Sequence, residues 1–170
     1  MSAQARRRPS PRTDMRTATS GAPDAPAITV AREPGVVAPR SRVIADAVLV
    51  VARAEGVPNA VMSIALVSNA TIRRLHARHL GRRRVTDVIA FTLAGADGAP
   101  RGDIYIAPAV ARASAKALGI PVREEMLRLV VHGVLHVFGH DHPTGVARIK
   151  SAMWQRQEAL LRRVLRRPGR

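Results

Sequence analysis

The sequence predicts a single α+β domain, α/β-like in its alternation, with a mixed sheet of about four strands and helices packed on it. Three observations carry that expectation. Short β-branched apolar runs alternate with stretches whose apolar residues recur every three or four positions, the order that strands and helices take when they pack as layers. Glycine and proline punctuate the joints between these segments. The length, 170 residues, suits one hydrophobic core better than two thin ones.

Residues 1–26 are rich in Ala, Arg, Pro, Ser and Thr without apolar periodicity, and read as a disordered basic extension outside the fold. The domain is expected over 27–165, with 166–170 a basic tail. Ala27 to Ala31 forms a short first strand. Arg40 to Ala54 spaces Val43, Ala47 and Val50 as an amphipathic helix, which Gly56 and Pro58 end. Val61 to Val67 is a buried strand, and Ser68 or Asn69 caps a helix through Ile72 and Leu75. Gly81 and the arginines after it make a loop. Strands follow at Val85 to Leu93 and at Asp103 to Ile106, separated by a turn with Gly98, Pro100 and Gly102. Pro108 to Leu118 is a helix closed by Gly119. Pro121 opens the next one at a first-turn position, where Glu124 and Glu125 complement the helix dipole. Met126, Leu129, Val130, Val134 and Val137 give this helix its apolar face, and Gly139 terminates it in a left-handed conformation. A last amphipathic, basic helix is expected from about Thr144 to Leu165, with Met153 as a core residue.

Composition narrows the function. The chain holds 28 Lys plus Arg against 12 Asp plus Glu, a formal +16, which favours polyanionic partners through counterion release and makes nucleic acid the default. Part of that charge sits at the two ends, where basic tails are also found simply solvated. Aromatic residues are only 2%, so base stacking is not the expected mode of binding. With no cysteine, disulfides and thiolate metal sites are excluded, and any metal must rely on imidazole or carboxylate. No stretch is apolar enough to span a bilayer, and Arg6 to Arg8 lead into Pro9 and Ser10 rather than a hydrophobic signal region. A cytoplasmic protein without a membrane partner is expected, although an Arg- and Ser-rich leader also resembles an organelle transit peptide.

Four of the six histidines fall between 132 and 142. His132 and His136, four apart on one helix, project their imidazoles from the same face about one turn apart. Gly139 turns the chain so that His142 can return as a third ligand. Three protein ligands leave a fourth tetrahedral position for water, the arrangement of a catalytic rather than a structural zinc site, and the ion brings the pKa of that water to roughly 7. One zinc ion per chain is therefore expected on His132, His136 and His142. His140 is read as a surface or substrate-facing residue. Asp141 either orients a ligand imidazole or acts as a base, and is counted with the three histidines as catalytic; the alternative is a turn residue bonded to local backbone. The spacing His-x-x-x-His-x-x-Gly-x-x-His also matches a class of zinc proteases, but their glutamate base is replaced by Gly133.

The segment His132, Gly133, Leu135, His136, Gly139, Asp141 and His142 resembles the hallmark of the YbeY family of bacterial rRNA maturation factors. Thr86 to Phe91 is similar to that family's Thr-(Asn or Asp)-Val-Leu-Ser-Phe strand, and Gly102 to Ile106 to its Gly-Asp-Ile-x-Ile strand. The resemblance covers about 27–165 and departs from the family at Leu80, where an arginine is usual, and at His76, where asparagine is usual. It implies one α/β domain, a zinc-type metal on the three histidines, and single-strand-specific endoribonuclease activity in small-subunit rRNA maturation and ribosome quality control. The implied partners are rRNA, the small ribosomal subunit and its proteins. Arg73, Arg74, Arg78, Arg82, Arg83 and Arg84 are the candidate phosphate contacts. Two other readings stay open: a metallohydrolase of a peptide or amide, and a non-catalytic ribosome-assembly factor with a structural metal.

Overall fold

Four short strands join in one mixed sheet in a computed structural model that describes residues 25–81, 85–93, 98–143 and 145–166. β1 (Ala27–Arg32) and β2 (Val61–Leu66) run parallel, as do β2 and β4 (Arg101–Ile106). β3 (Val88–Leu93) pairs antiparallel with β4 at the edge, giving the order β1-β2-β4-β3. Parallel neighbours need crossovers. α1 (Ser41–Ala54) supplies the first, and α2 (Asn69–Leu80) opens the longer path through β3 to β4. With α3 (Pro108–Leu118), α4 (Val122–Val137) and α5 (Ala152–Leu165) there are five α-helices among the described residues, so the expected α+β class and mixed four-stranded sheet hold.

Strand alternation divides the two faces of the sheet. Met62, Ile64, Leu66, Ile104 and Ile106 point into the larger core, shared with Val48 of α1, Val131 and Leu135 of α4 and Leu160 of α5. Ile89, with Phe91 and Tyr105 packed on it, belongs to a smaller cluster that Ile72 and Leu75 of α2 close from the other side. α4 is central, in contact with α1, α3, α5, β3 and β4. Two glycines let it come close to the sheet. A Cβ on Gly133 would fall 2.7 Å from Ile104 Cγ2, and one on Gly102 2.5 Å from Val137 Cγ2, so neither position takes a side chain unless the facing element moves.

Several boundaries differ from the sequence reading: β4 starts at Arg101 rather than Asp103, so Gly102 lies in the strand and not in the turn before it. β3 starts at Val88 rather than Val85, because Asp87 Oδ1 accepts the Val88 N–H at 2.9 Å and the chain bends there. Pro121 is the N-cap of α4 rather than its first helical residue. The single helix expected from Thr144 is instead a 3-10 turn, Gly145–Lys150, followed by α5. Ser151 causes the break: its backbone is extended and its hydroxyl accepts the Trp154 N–H at 3.2 Å, which makes it a new N-cap. Thr144, residues 1–24, Arg82, Arg83, Arg84 and residues 167–170 lie outside the described residues. No described helix is long and apolar enough to cross a membrane.

Candidate metal centre

The last two turns of α4 place His132 and His136 on one face, four residues apart. The helix then ends in a Schellman motif: the His140 N–H bonds Leu135 O at 3.0 Å and the Gly139 N–H bonds His136 O at 3.0 Å. This closure needs a residue in the left-handed region, and Gly139 supplies it at φ 87°. The chain is thereby reversed. Asp141 Oδ1 accepts the His142 N–H at 2.7 Å, which tightens the turn and swings the His142 ring back over the helix end.

Three imidazoles converge as a result. Ring centroids are 4.5 Å apart for His132 and His136, and 5.1 Å from His142 to each of them. One nitrogen of each lies within 4.8 Å of the other two, the grouping that can hold a metal ion. The Nε2 atoms of His132 and His136 are 3.1 Å apart, close to the ~3.3 Å that tetrahedral ligation at about 2.0–2.1 Å demands. Hydrogen bonds settle two tautomers. His142 Nδ1 lies 2.9 Å from Pro143 O, which can only accept, so in the neutral ring the proton is on Nδ1 and Nε2 carries a lone pair. That Nε2 is buried and has no hydrogen-bond partner in the protein. His132 Nδ1 likewise meets Gln157 Oε1 at 2.8 Å. A buried imidazole nitrogen without a partner is costly, and a cation between the three rings would satisfy it, so the residues present fit a metal ion.

The cleft in front of the rings measures about 480 Å³, with Val88, Ala90 and Thr92 of the edge strand along one wall and His136, His140 and Asp141 along the other. A Cβ on Gly133 would meet Ile104 Cγ2 at 2.7 Å and Val88 Cγ2 at 3.4 Å, so the position that bears a glutamate base in zinc proteases has no space for one. Asp141 sits exposed at the rim, and the bond it makes is to the backbone of its own turn. The orienting partners fall elsewhere: Gln157 for His132 and Pro143 O for His142. His140, read as surface or substrate-facing, is half-buried and bonded through Nε2 to Glu55 Oε2 at 2.8 Å. Glu55 also takes Arg156 Nε at 2.7 Å, so it ties the ligand-bearing turn to α1 and α5. Burial works to raise the Glu55 pKa, but the bonds from Arg156 and His140 outweigh it and hold the carboxyl below its usual value.

Arg73, Arg74 and Arg78 stand exposed on α2, where they line a shallow depression of their own. They do not line the cleft. Their helix reaches it indirectly, since the His79 ring packs edge-on against Phe91 of β3 with centroids 5.0 Å apart. Gln157 was not singled out in the sequence. Its signal was a lone polar residue within the apolar stripe of Met153, Leu160, Leu161 and Val164.

Fold and site together define an α+β domain whose central helix and following turn build a three-histidine candidate metal centre. The family model described as Endoribonuclease YbeY matches residues 36–165, and the chain belongs to that family. Among relatives with that name, one from Acidothermus cellulolyticus is 32% identical over 162 residues, 84% of this chain and 98% of the relative. One from Rhodococcus opacus is 35% identical over 126 residues, 68% of this chain and 70% of the relative. Against one from a Sulfurihydrogenibium species the identity is 39%, but the match spans 51% of this chain and only 59% of the relative's length. The solution structure of TM1509 from Thermotoga maritima superposes with a TM-score of 0.57 at 25% identity, covering 81% of this chain and 88% of that one.

Proposed function

We propose that this protein is a metal-dependent, single-strand-specific endoribonuclease that acts in 3′-end processing of small-subunit rRNA and in ribosome quality control. The reading takes one zinc ion per chain as cofactor, a cytoplasmic location, and rRNA with the small ribosomal subunit and its proteins as partners. The convergence of three imidazoles, with His142 Nε2 buried and unpartnered, is the observation that supports it in a chain of this family. A metal ion bound there supplies Lewis-acid polarisation of a phosphoryl oxygen and activation of water.

The protein's own groups do the rest. His132, His136 and His142 present nitrogen donors from a helix end and a rigid turn, so the site needs little rearrangement to load. Asp141 spends Oδ1 on the His142 N–H and offers its other oxygen at the cleft rim for proton transfer. Arg73, Arg74 and Arg78, with Arg82, Arg83 and Arg84, neutralise backbone phosphates, which gives weak sequence preference and steep salt dependence. The peptide reading is disfavoured because Gly133 stands where a peptidase base is needed, pressed against Ile104. The deciding assay incubates labelled single-stranded RNA, duplex RNA and casein with the wild type, the His132→Ala variant and chelated protein. Cleavage of single-stranded RNA alone, abolished by the variant and by chelation, is expected. Undiminished cleavage by His132→Ala would sink the proposal.

A further inference from the structure

α5 carries a polar side chain, Gln157, inside its apolar stripe, where it is 1% exposed. A carboxamide buried there is costly unless both ends are bonded. Both are. Oε1 lies 2.8 Å from His132 Nδ1, and Nε2 donates to Glu158 Oε1 at 3.0 Å. An ionised carboxylate only accepts, so Glu158 dictates that the amide nitrogen faces it and the oxygen faces His132, whose Nδ1 must then carry the proton. Glu158 is itself fixed: the same Oε1 accepts Arg128 Nε at 3.0 Å. Arg128 also gives one terminal nitrogen to Glu124 Oε1 at 3.0 Å and the other to Glu125 Oε2. Arg128 lies four residues before His132, on the same face of α4, so α5 engages two successive turns of that helix through adjacent residues.

We infer that Gln157 is the positioning residue of the metal centre, holding His132 as its Nδ1–H tautomer with the Nε2 lone pair aimed at the ion, and that Arg128 and Glu158 keep the Gln157 amide from flipping. The inference rests on the metal reading above. Partners of this kind raise ligand basicity and fix ring direction, and their loss typically lowers metal affinity about 10- to 100-fold. A guanidinium shared among three carboxylates makes a stiff anchor, because each of its N–H groups in the relay has an assigned acceptor. The relay is closed to solvent at Gln157 and opens only at its far end, where Glu158 and Arg128 are partly exposed.

The test needs no substrate. Zinc affinity is measured by chelator competition for the wild type, Gln157→Leu, Gln157→Glu and Glu158→Gln, and the imidazole 15N shifts of His132 are recorded on each metal-free protein. Gln157→Leu should bind zinc about 10- to 100-fold more weakly and lose its preference for Nδ1–H. Gln157→Glu, which still accepts from Nδ1–H, should recover most of the affinity. Glu158→Gln, which frees the amide to flip, should give a smaller loss and mixed tautomers, and it serves in place of Gln157→Leu if that variant does not fold. Equal affinity and an unchanged tautomer in Gln157→Leu, or equal weakness of Gln157→Leu and Gln157→Glu, overturn the assignment. A wild type that takes up no zinc defeats the metal reading instead, and the 15N shifts on metal-free protein still decide the role of Gln157.

Discussion

His132 is 6% exposed, bonded to a buried amide and flanked by two further rings, whereas Arg73, Arg74 and Arg78 stand in solvent on α2. The first region is a unit in which each part fixes the next: a Schellman closure sets the turn, the turn sets His142, and Gln157 sets His132. The second is a set of separate charges on one helix face. Interdependent groups lose their function together, while independent charges each remove a share. This difference separates what mutation should do at the two places.

The largest expected effect tests whether the histidines act as one. His136→Ala should reduce RNA cleavage by on the order of 10³-fold or more, and adding His132→Ala should cost almost nothing further, as in other groups whose members fail together. Rates measured for the two single variants and the double variant check this. Additive losses would mean that each ring acts alone, and the contrast with α2 would vanish.

Next in size is a stability effect at Gly133. Gly133→Glu restores the residue type that zinc proteases carry, but its Cβ would start 2.7 Å from Ile104 Cγ2. Overpacking of this kind costs about 1–3 kcal/mol, and a carboxylate driven into an apolar layer adds to that. Urea denaturation should show a clear drop in midpoint and no gain of peptidase activity. Unchanged stability would show that α4 can lift from the sheet, and that the ligand face is less fixed than its contacts suggest.

The arginines should respond more mildly and in proportion. Each phosphate contact removed lowers the slope of log affinity against log salt by about 0.7 for single-stranded RNA. Arg73→Ala, Arg74→Ala and Arg78→Ala, combined, should therefore flatten the slope by up to about 2 while zinc affinity stays at the wild-type level. Filter binding at several salt concentrations reads the slope. No change would move the RNA path away from α2.

The two regions also differed in how far the sequence revealed them. The convergence of the three histidines was legible because a helix fixes the four-residue spacing and Gly139 announces the reversal, so local rules alone brought His132, His136 and His142 together. The strands and the mixed sheet were legible for the same reason, since alternation and glycine or proline joints are local signals. What could not be read was tertiary. Gln157 and Glu55 act through residues 25 and 85 positions away, and no spacing rule connects them. For Asp141 the sequence left open an orienting role, a base and a turn residue bonded to local backbone; the turn bond is the one formed, because a short side chain reaches the backbone of its own turn first. Gly133 registered in the sequence as a missing base and as part of the family hallmark, but its closeness to Ile104 exists only once α4 lies across the sheet.

Glu33 joins the comparison at its smallest scale, because it ties the arginine-bearing helix to the rest of the domain. Its carboxylate accepts the Ser68 N–H at 2.8 Å and the hydroxyls of Ser68 and Thr71 at 3.1 Å each, which anchors the N-terminus of α2 just beyond β1. The Ser68 N–H is the main cause of a lowered Glu33 pKa; burial opposes it, and the two hydroxyls and the Arg74 charge reinforce it. A carboxyl with a depressed folded-state pKa stabilises the fold above its unfolded value, and that contribution is lost as pH falls through the folded value. Glu33→Gln should therefore melt slightly below the wild type at neutral pH, with the gap closing as the solution is taken below the ordinary glutamate range. Arg74→Ala should gain less of this stabilisation and finish losing it at a slightly higher pH than the wild type, since it removes one of the charges that lower the folded-state value, whereas Arg73→Ala should leave the acid limb unchanged. Melting curves across acid pH separate the three. If Arg74→Ala and Arg73→Ala behave alike, the α2 arginines are interchangeable surface charges, and of the two regions only the histidine cluster is a built site.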